Sequence, residues 1–185
     1  MGATTDITRT IAIGAPTDEQ KEYYTKVLKG HIALATIKFP INITGSNLDV
    51  LARQFLWQHF EDYPHGTGHG VGSFLGVHEG PQNINLRSNV ALQPGMIISN
   101  EPGYYLSGKF GIRIENLMYV NKTNNPNFLE FETLTLIPFA KELINNEMLT
   151  LDELDYIKKY YIKIHATIYP LLSDKAKIWL MNQCV

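Results

Sequence analysis

Apolar residues recur at helical spacing in three stretches of the chain. Tyr24, Val27, Leu28, His31, Ile32 and Ala35 form one stripe behind Thr17 and Gln20, a capping-box pair, and predict a helix of about twenty residues that Pro40 stops. Beyond the turn at Gly45, Leu48, Leu51, Ala52, Phe55, Leu56 and His59 mark the face of a second helix capped by Ser46. Thr150 and Glu153 open a third, with Leu154, Ile157, Tyr161, Ile164 and Ile168 on its apolar side and Pro170 at its end. His31 and His59 sit on such stripes and read as structural. Between the helices, residues 96–101, 110–120 and 128–137 read as strands, separated by Pro and Gly and closed by Pro138. Helices first, strands in the middle and helices last define an α+β domain.

A length of 185 residues holds one core, and 44% hydrophobic against 18% charged residues is the composition of a folded protein. Lys plus Arg number 16 and Asp plus Glu 18, so there is no basic excess to draw the chain to nucleic acid or to an acidic membrane. No apolar run approaches the roughly 18 residues of a membrane span, and no secretory leader is recognisable, so the expected location is cytoplasmic. The single cysteine, Cys184, excludes an internal disulfide and a Cys-based zinc cluster.

Chemistry concentrates in residues 64–81, which hold six of the fourteen glycines and three of the six histidines. In His65-Gly66-Thr67-Gly68-His69-Gly70-Val71-Gly72 every second residue is glycine, at about 1 kcal/mol per glycine relative to alanine in a helix, so a helix is excluded. In an extended strand His65 and His69 face one side roughly 13 Å apart, too far to share an ion. One should then be a metal ligand and the other a pocket wall, with the glycines leaving room for a substrate backbone; the alternative is a glycine-rich strand packed under a helix with incidental histidines. Asp6 lies in the β-prone run Thr4-Thr5-Asp6-Ile7-Thr8-Arg9-Thr10, whose hydroxyls could fix its carboxylate, although an N-terminal edge strand with a solvated Asp6 is the reading that residue type alone favours. Glu101 stands at a strand end before Pro102. Glu115 alternates with Ile112 and Ile114 and shares a face with Arg113, where a buried Arg–Glu pair is the plain alternative to a functional role. One imidazole with several carboxylates is an oxygen-rich ligand set that suits manganese better than a thiolate-type zinc site.

Three segments are particular enough to carry a resemblance. His65-Gly66-Thr67-Gly68-His69-Gly70-Val71-Gly72-Ser73-Phe74-Leu75 with Val77-His78-Glu79-Gly80-Pro81, then Ser99-Asn100-Glu101-Pro102-Gly103-Tyr104-Tyr105, then Gly111-Ile112-Arg113-Ile114-Glu115-Asn116, resemble the catalytic domain of aminopeptidase P. This is the X-prolyl aminopeptidase branch of the pita-bread metallopeptidases. The run from Thr4 to Thr10 matches the family as well, and the C-terminal pattern is similar to the tail of its multidomain cytosolic form. The resemblance implies a pita-bread (creatinase/aminopeptidase) fold, with a partial catalytic domain at 1–140 and a C-terminal helical extension of the same domain at 141–185. It implies release of the N-terminal residue from peptides with proline second, a metallopeptidase activity that usually employs two Mn2+ ions. Asp6 and Glu115 become bridging metal ligands, and His69 and Glu101 ligands of one ion, with Glu101 also the general base. His65 and His78 line the substrate pocket, His78 donating to the tetrahedral intermediate, while Arg113 orients carboxylates from behind. Homodimerisation is a further expectation.

The pattern departs from the family at the front. The family carries another aspartate ligand eleven residues before the position of Asp6, and only five residues precede Asp6 here. Met1-Gly2-Ala3 reads like a truncation or an alternative start, leaving the fold incomplete at the N-terminus. The expectation is therefore one retained metal site, a second lost or weakened, and little X-Pro cleavage by this chain alone. The alternative is a catalytically dead relative that binds peptides or proteins.

Overall fold

The computed structural model describes residues 4–74 and 76–184, so the Met1-Gly2-Ala3 lead-in and Leu75 of the glycine-rich run lie outside the described residues. Two compact units share the chain. One holds the residues up to Thr10 with Lys26–Thr135, and the other Ile11–Thr25 with everything from Leu136 onward.

In the first unit, helix α1 (Asp18–Thr36), of which residues from Lys26 belong here, and helix α2 (Gly45–Trp57) accompany an antiparallel sheet. The sheet runs in the order β1 (Lys38–Pro40), β8 (Phe128–Thr133), β7 (Asn116–Lys122), β4 (Ile97–Asn100). Leu34 of α1 and Leu48 and Ala52 of α2 pack with Ile98, Met118, Val120, Leu129 and Phe131 of the strands in one buried cluster. Removing that apolar surface from water is the main stabilising contribution, at about 25 cal/mol per Å². The two helices cross closely at Gly30, where a Cβ would strike the backbone carbonyl of Ala52. Two short pairs complete the unit: β2 (Gly68–His69) with β3 (Asn83–Ile84), and the hairpin β5 (Gly103–Leu106) with β6 (Phe110–Arg113). The hairpin turns through Gly108 at φ 73°, a left-handed conformation that glycine adopts freely.

In the second unit, helix α3 (Leu151–Ile168) begins at the Thr150 and Glu153 capping box, with Thr150 N–H donating to Glu153 Oε2 at 2.7 Å and Glu153 N–H to Thr150 Oγ1 at 3.3 Å. Its buried Ile157, Tyr160 and Ile164 face inward, Tyr160 stacks on Phe139 at 5.0 Å, and α4 (Asp174–Gln183) contributes Leu180. Ala140 N–H donates to Tyr24 Oη at 3.0 Å. The capping box of α1 forms as its spacing predicts: Gln20 Oε1 accepts from Thr17 N–H at 2.8 Å.

Four local expectations change. Helix α1 stops at Thr36 and Pro40 ends a strand instead, because Phe39 turns into the core and Lys38 pairs with Glu130 across the sheet edge. Helix α2 is capped by Thr44, whose N–H donates to Asn47 Oδ1 at 3.1 Å, and Ser46 lies inside the first turn. His59 lies past the end of α2 and is exposed, so it is not a core histidine. The strand expected over 110–120 is two strands: β6 pairs with β5, and after Ile114 and Glu115 the chain changes partners to β4 and β8. At that break Glu115 N–H donates to Thr8 O at 3.1 Å.

Candidate metal centre

The glycine-rich run is bent, with only Gly68 and His69 in a strand. Its glycines face the protein's own backbone. A Cβ on Gly68 would meet Ser99 O, and one on Gly70 would meet Glu79 O. The open space expected for a substrate backbone is thus taken, at these positions, by neighbouring segments that lie against the run. Hydrogen bonds tie them, among them Glu101 N–H to Thr67 O at 2.7 Å, Val71 N–H to Ile97 O at 3.2 Å and Glu79 N–H to Gly70 O at 2.9 Å. These bonds bring the end of β4, where Glu101 emerges, beside His69.

The ligand atoms of His69, Glu101 and Glu115 all lie within 4.8 Å of one another, and so do those of Asp6, His69 and His78. His69 Nε2 is 3.3 Å from Asp6 Oδ2 and 3.2 Å from Glu101 Oε1. Its Nδ1 is 3.1 Å from the Gly70 carbonyl, which only accepts, so Nδ1 carries hydrogen and Nε2 points into the cluster. Side chains from the N-terminal run, the end of β4 and the β6–β7 break thus gather about His69 of β2, in two groups that share it.

Supporting groups hold each carboxylate. Ser99 Oγ accepts from His69 N–H at 2.9 Å and donates to Glu101 Oε1 at 3.0 Å. Thr8 Oγ1 donates to Glu115 Oε2 at 2.5 Å and accepts from Arg113 Nε at 3.0 Å. Thr8 thus serves Glu115, where the sequence pointed to the hydroxyls of that run serving Asp6. Arg113 is exposed, reaching Glu115 through Thr8 rather than forming a buried pair with it. Arg9, on the same run, donates to Glu115 O at 2.7 Å and to Asn116 Oδ1 at 2.6 Å.

The charges in this cluster do not balance from within. Burial pushes the Glu115 carboxyl above its ordinary range, and the neighbouring charges of Glu101 and Asp6 push it further, against the Thr8 hydrogen bond. At His69 burial favours the neutral ring, but the Glu101 hydrogen bond and the nearby carboxylates outweigh it and raise the pKa. Glu101 is lowered: burial opposes its charge, and hydrogen bonds from His69 and Ser99 outweigh the burial. Three carboxylates around one imidazole form an oxygen-rich donor set with excess negative charge, which fits a hard divalent cation. The groups placed to hold one are His69 with Glu101 and Glu115, and His69 with Asp6 and His78.

His78 is exposed and meets the His69 ring edge-on at 4.1 Å. His65 stands outside the ligand-competent groups. Its Nδ1 is 2.8 Å from Gly66 O and its Nε2 2.8 Å from Tyr105 Oη, so Nδ1 donates and, in the neutral ring, the tyrosine hydroxyl donates to Nε2. Sequence reasoning missed Ser99, Arg9 and Tyr105. All three lie within or beside the quoted motifs, but nothing in residue type alone says which carboxylate a hydroxyl will reach.

The fold is that of the pita-bread metallopeptidases, with the histidine and carboxylates of the site gathered beside the glycine-rich run. The chain belongs to the metallopeptidase family M24, matching it over residues 1–122 and the C-terminal region of peptidase M24 over 127–185. It is 49% identical to Xaa-Pro aminopeptidase 1 of Dictyostelium discoideum over 99% of its length and 31% of that protein. It is 43% identical to aminopeptidase P1 of Arabidopsis thaliana over 97% of its length and 29% of that protein. Among solved structures it is similar to the X-prolyl aminopeptidase of Caenorhabditis elegans, described as a cytosolic enzyme with a di-nuclear active site. That match has a TM-score of 0.92 at 38% identity and covers 98% of this chain and 31% of the other. The prolidase of Pyrococcus furiosus is more distant, with a TM-score of 0.61 at 33% identity over 70% of this chain and 36% of that one. The chain thus spans about a third of these relatives. Among the described residues no helix is long and apolar enough to cross a membrane.

Proposed function

We propose that the chain is the metal-binding part of a cytoplasmic Xaa-Pro aminopeptidase, a hydrolase that releases the N-terminal residue from peptides with proline second. The observation that supports the reading is the gathering of Asp6, Glu101 and Glu115 about His69, in two overlapping groups, on a chain similar to Xaa-Pro aminopeptidases along nearly its whole length. In this reading residues 1–140 carry the catalytic part and 141–185 a helical extension.

A divalent cation in such a cluster, with Mn2+ the proposed ion, lowers the pKa of water and polarises a carbonyl. The residues supply the rest. Glu101 takes the proton of the attacking water and returns it to the leaving amine of proline. Ser99 fixes the orientation of Glu101 Oε1. His78, exposed beside His69, donates a hydrogen bond to the oxygen that gains charge as the carbonyl becomes tetrahedral. His65 forms a wall of the pocket, its ring held by Tyr105 and Gly66. Thr8, backed by Arg113, keeps Glu115 turned into the cluster.

Residues 1–185 alone offer four of the ligand positions the resemblance assigns, so the polypeptide of these residues holds one ion tightly and turns over little substrate. The test has two parts. The full-length protein is incubated with MnCl2 and Arg-Pro-Pro, and released arginine is measured against Arg-Ala-Ala. Release from the proline peptide alone supports the reading, and a manganese-loaded protein that releases none overturns it. Calorimetric titration of the 185-residue polypeptide with manganese then shows one tight site; two tight sites, or none, overturn that part.

A further inference from the structure

We propose that Arg53, which touches none of the candidate ligands, is a positioning residue for His65 and controls how the site receives substrate. The proposal rests on the reading of His65 as a pocket wall.

Arg53 and Asp49 lie one turn apart on α2, both buried, with Arg53 Nε donating to Asp49 Oδ2 at 2.7 Å. A buried ion pair is a weak source of stability because desolvating both charges offsets their attraction. What distinguishes this one is where the rest of the guanidinium points. Its NH1 donates to Asp62 Oδ1 at 2.7 Å and to Tyr63 O at 2.9 Å, and its NH2 to His65 O at 2.6 Å. A single planar group thereby holds three residues of the four that lead into the glycine-rich run. Only a guanidinium has donors enough, in fixed directions, for all these acceptors.

A second path leads to the same histidine. The Arg53 guanidinium lies 3.9 Å from the centre of the Tyr63 ring, and the Tyr63 ring 4.9 Å from that of His65. Arg53 therefore sets the backbone of His65 directly and its ring through an aromatic neighbour. The free oxygen of Asp49 accepts from Thr67 Oγ1, which is also bonded to Tyr63 Oη, and Thr67 O accepts from Glu101 N–H. The helix thus holds the run on both sides of Gly66, with His65 between two anchored residues.

The experiment uses the full-length protein with R53K, H65A and the double variant, each loaded with manganese and assayed on an X-Pro peptide. Lysine keeps the charge beside Asp49 but cannot reach the four acceptors. R53K is expected to bind manganese as the wild type does and to lose about tenfold to hundredfold in kcat/KM, the range for residues that orient a site from behind. The double variant is expected to be little worse than H65A, because both changes remove the same function. Losses that multiply, or a loss in R53K that follows metal content, overturn the proposal. D62A, which removes the Asp62 acceptor on the half-exposed side, gives the same coupling at smaller size should R53K fail to fold. If the wild type cleaves no X-Pro peptide, the functional reading fails by itself. Positioning is then read from the ring nitrogens of His65 by NMR: R53K weakens the Nδ1–H form and its hydrogen bonds, and an unchanged ring overturns it.

Discussion

Thr8 and Glu115 are 107 residues apart in sequence and joined by a 2.5 Å hydrogen bond from hydroxyl to carboxylate. The backbone repeats the link, with Glu115 N–H donating to Thr8 O at 3.1 Å. The N-terminal run is thereby fastened to the break between β6 and β7, and Asp6 comes with it.

Replacing Thr8 with valine keeps the shape and removes the hydroxyl. Glu115 then loses its donor and Arg113 its acceptor, and manganese affinity measured by calorimetry should fall about tenfold to hundredfold. T8S, which keeps the hydroxyl, should bind within a few-fold of the wild type. Equal loss in both variants would place the effect in packing and not in the hydrogen bond.

His78 is exposed and supports no packed core, so H78A should leave the melting temperature unchanged. If it donates to the developing oxyanion, kcat on an X-Pro peptide should drop by about 10²-fold or more with little change in KM. A rise in KM at constant kcat would assign it to substrate binding instead.

Gly30 faces the Ala52 carbonyl where α1 meets α2, with no room for a Cβ. G30A gains helix propensity of about 1 kcal/mol on an open surface, but here the backbones must separate, at a cost of about 1–3 kcal/mol. Urea unfolding should show a net loss of stability. A more stable G30A would mean that the helices do not cross as described.

His31 is fully buried, and burial, followed by the charge of Arg9, lowers its pKa to about 3. Between that value and the ordinary 6.5 the unfolded chain binds a proton that the folded one does not. Stability therefore falls as pH drops below about 6.5, and this residue accounts for roughly 3 kcal/mol between pH 7 and pH 4. Denaturation at the two pH values, compared with H31Q, should show that part of the loss disappear in the variant. An identical pH dependence in H31Q would remove His31 as its source.

The sequence makes the three main helices readable because each has a stripe and a start signal of its own. Thr17 with Gln20 and Thr150 with Glu153 both cap as their spacing predicts. The errors fall where a distant partner decides. Pro40 belongs to a strand because Phe128 lies opposite it, and residues 110–120 split because β6 and β7 pair with different strands. The candidate ligands are legible from their motifs, since a carboxylate or imidazole must be present to do the work. Their supports are less so: Ser99, Thr8 and Arg53 are ordinary residues whose roles depend on contacts 2, 107 and 12 positions away, respectively.

The alternating glycines of the run around His69 also act as a check on alignment. At Gly68 and Gly70 a carbonyl of another segment occupies the volume a side chain would need. Sliding the run by one residue would press Thr67 or His69 against Ser99 O, a backbone atom that a side-chain rearrangement cannot move aside. The polypeptide therefore has one setting in which these segments can close, and that setting presents His69 to Glu101. Steric exclusion at Gly68 and Gly70 thus helps fix the register that sets His69 beside Glu101.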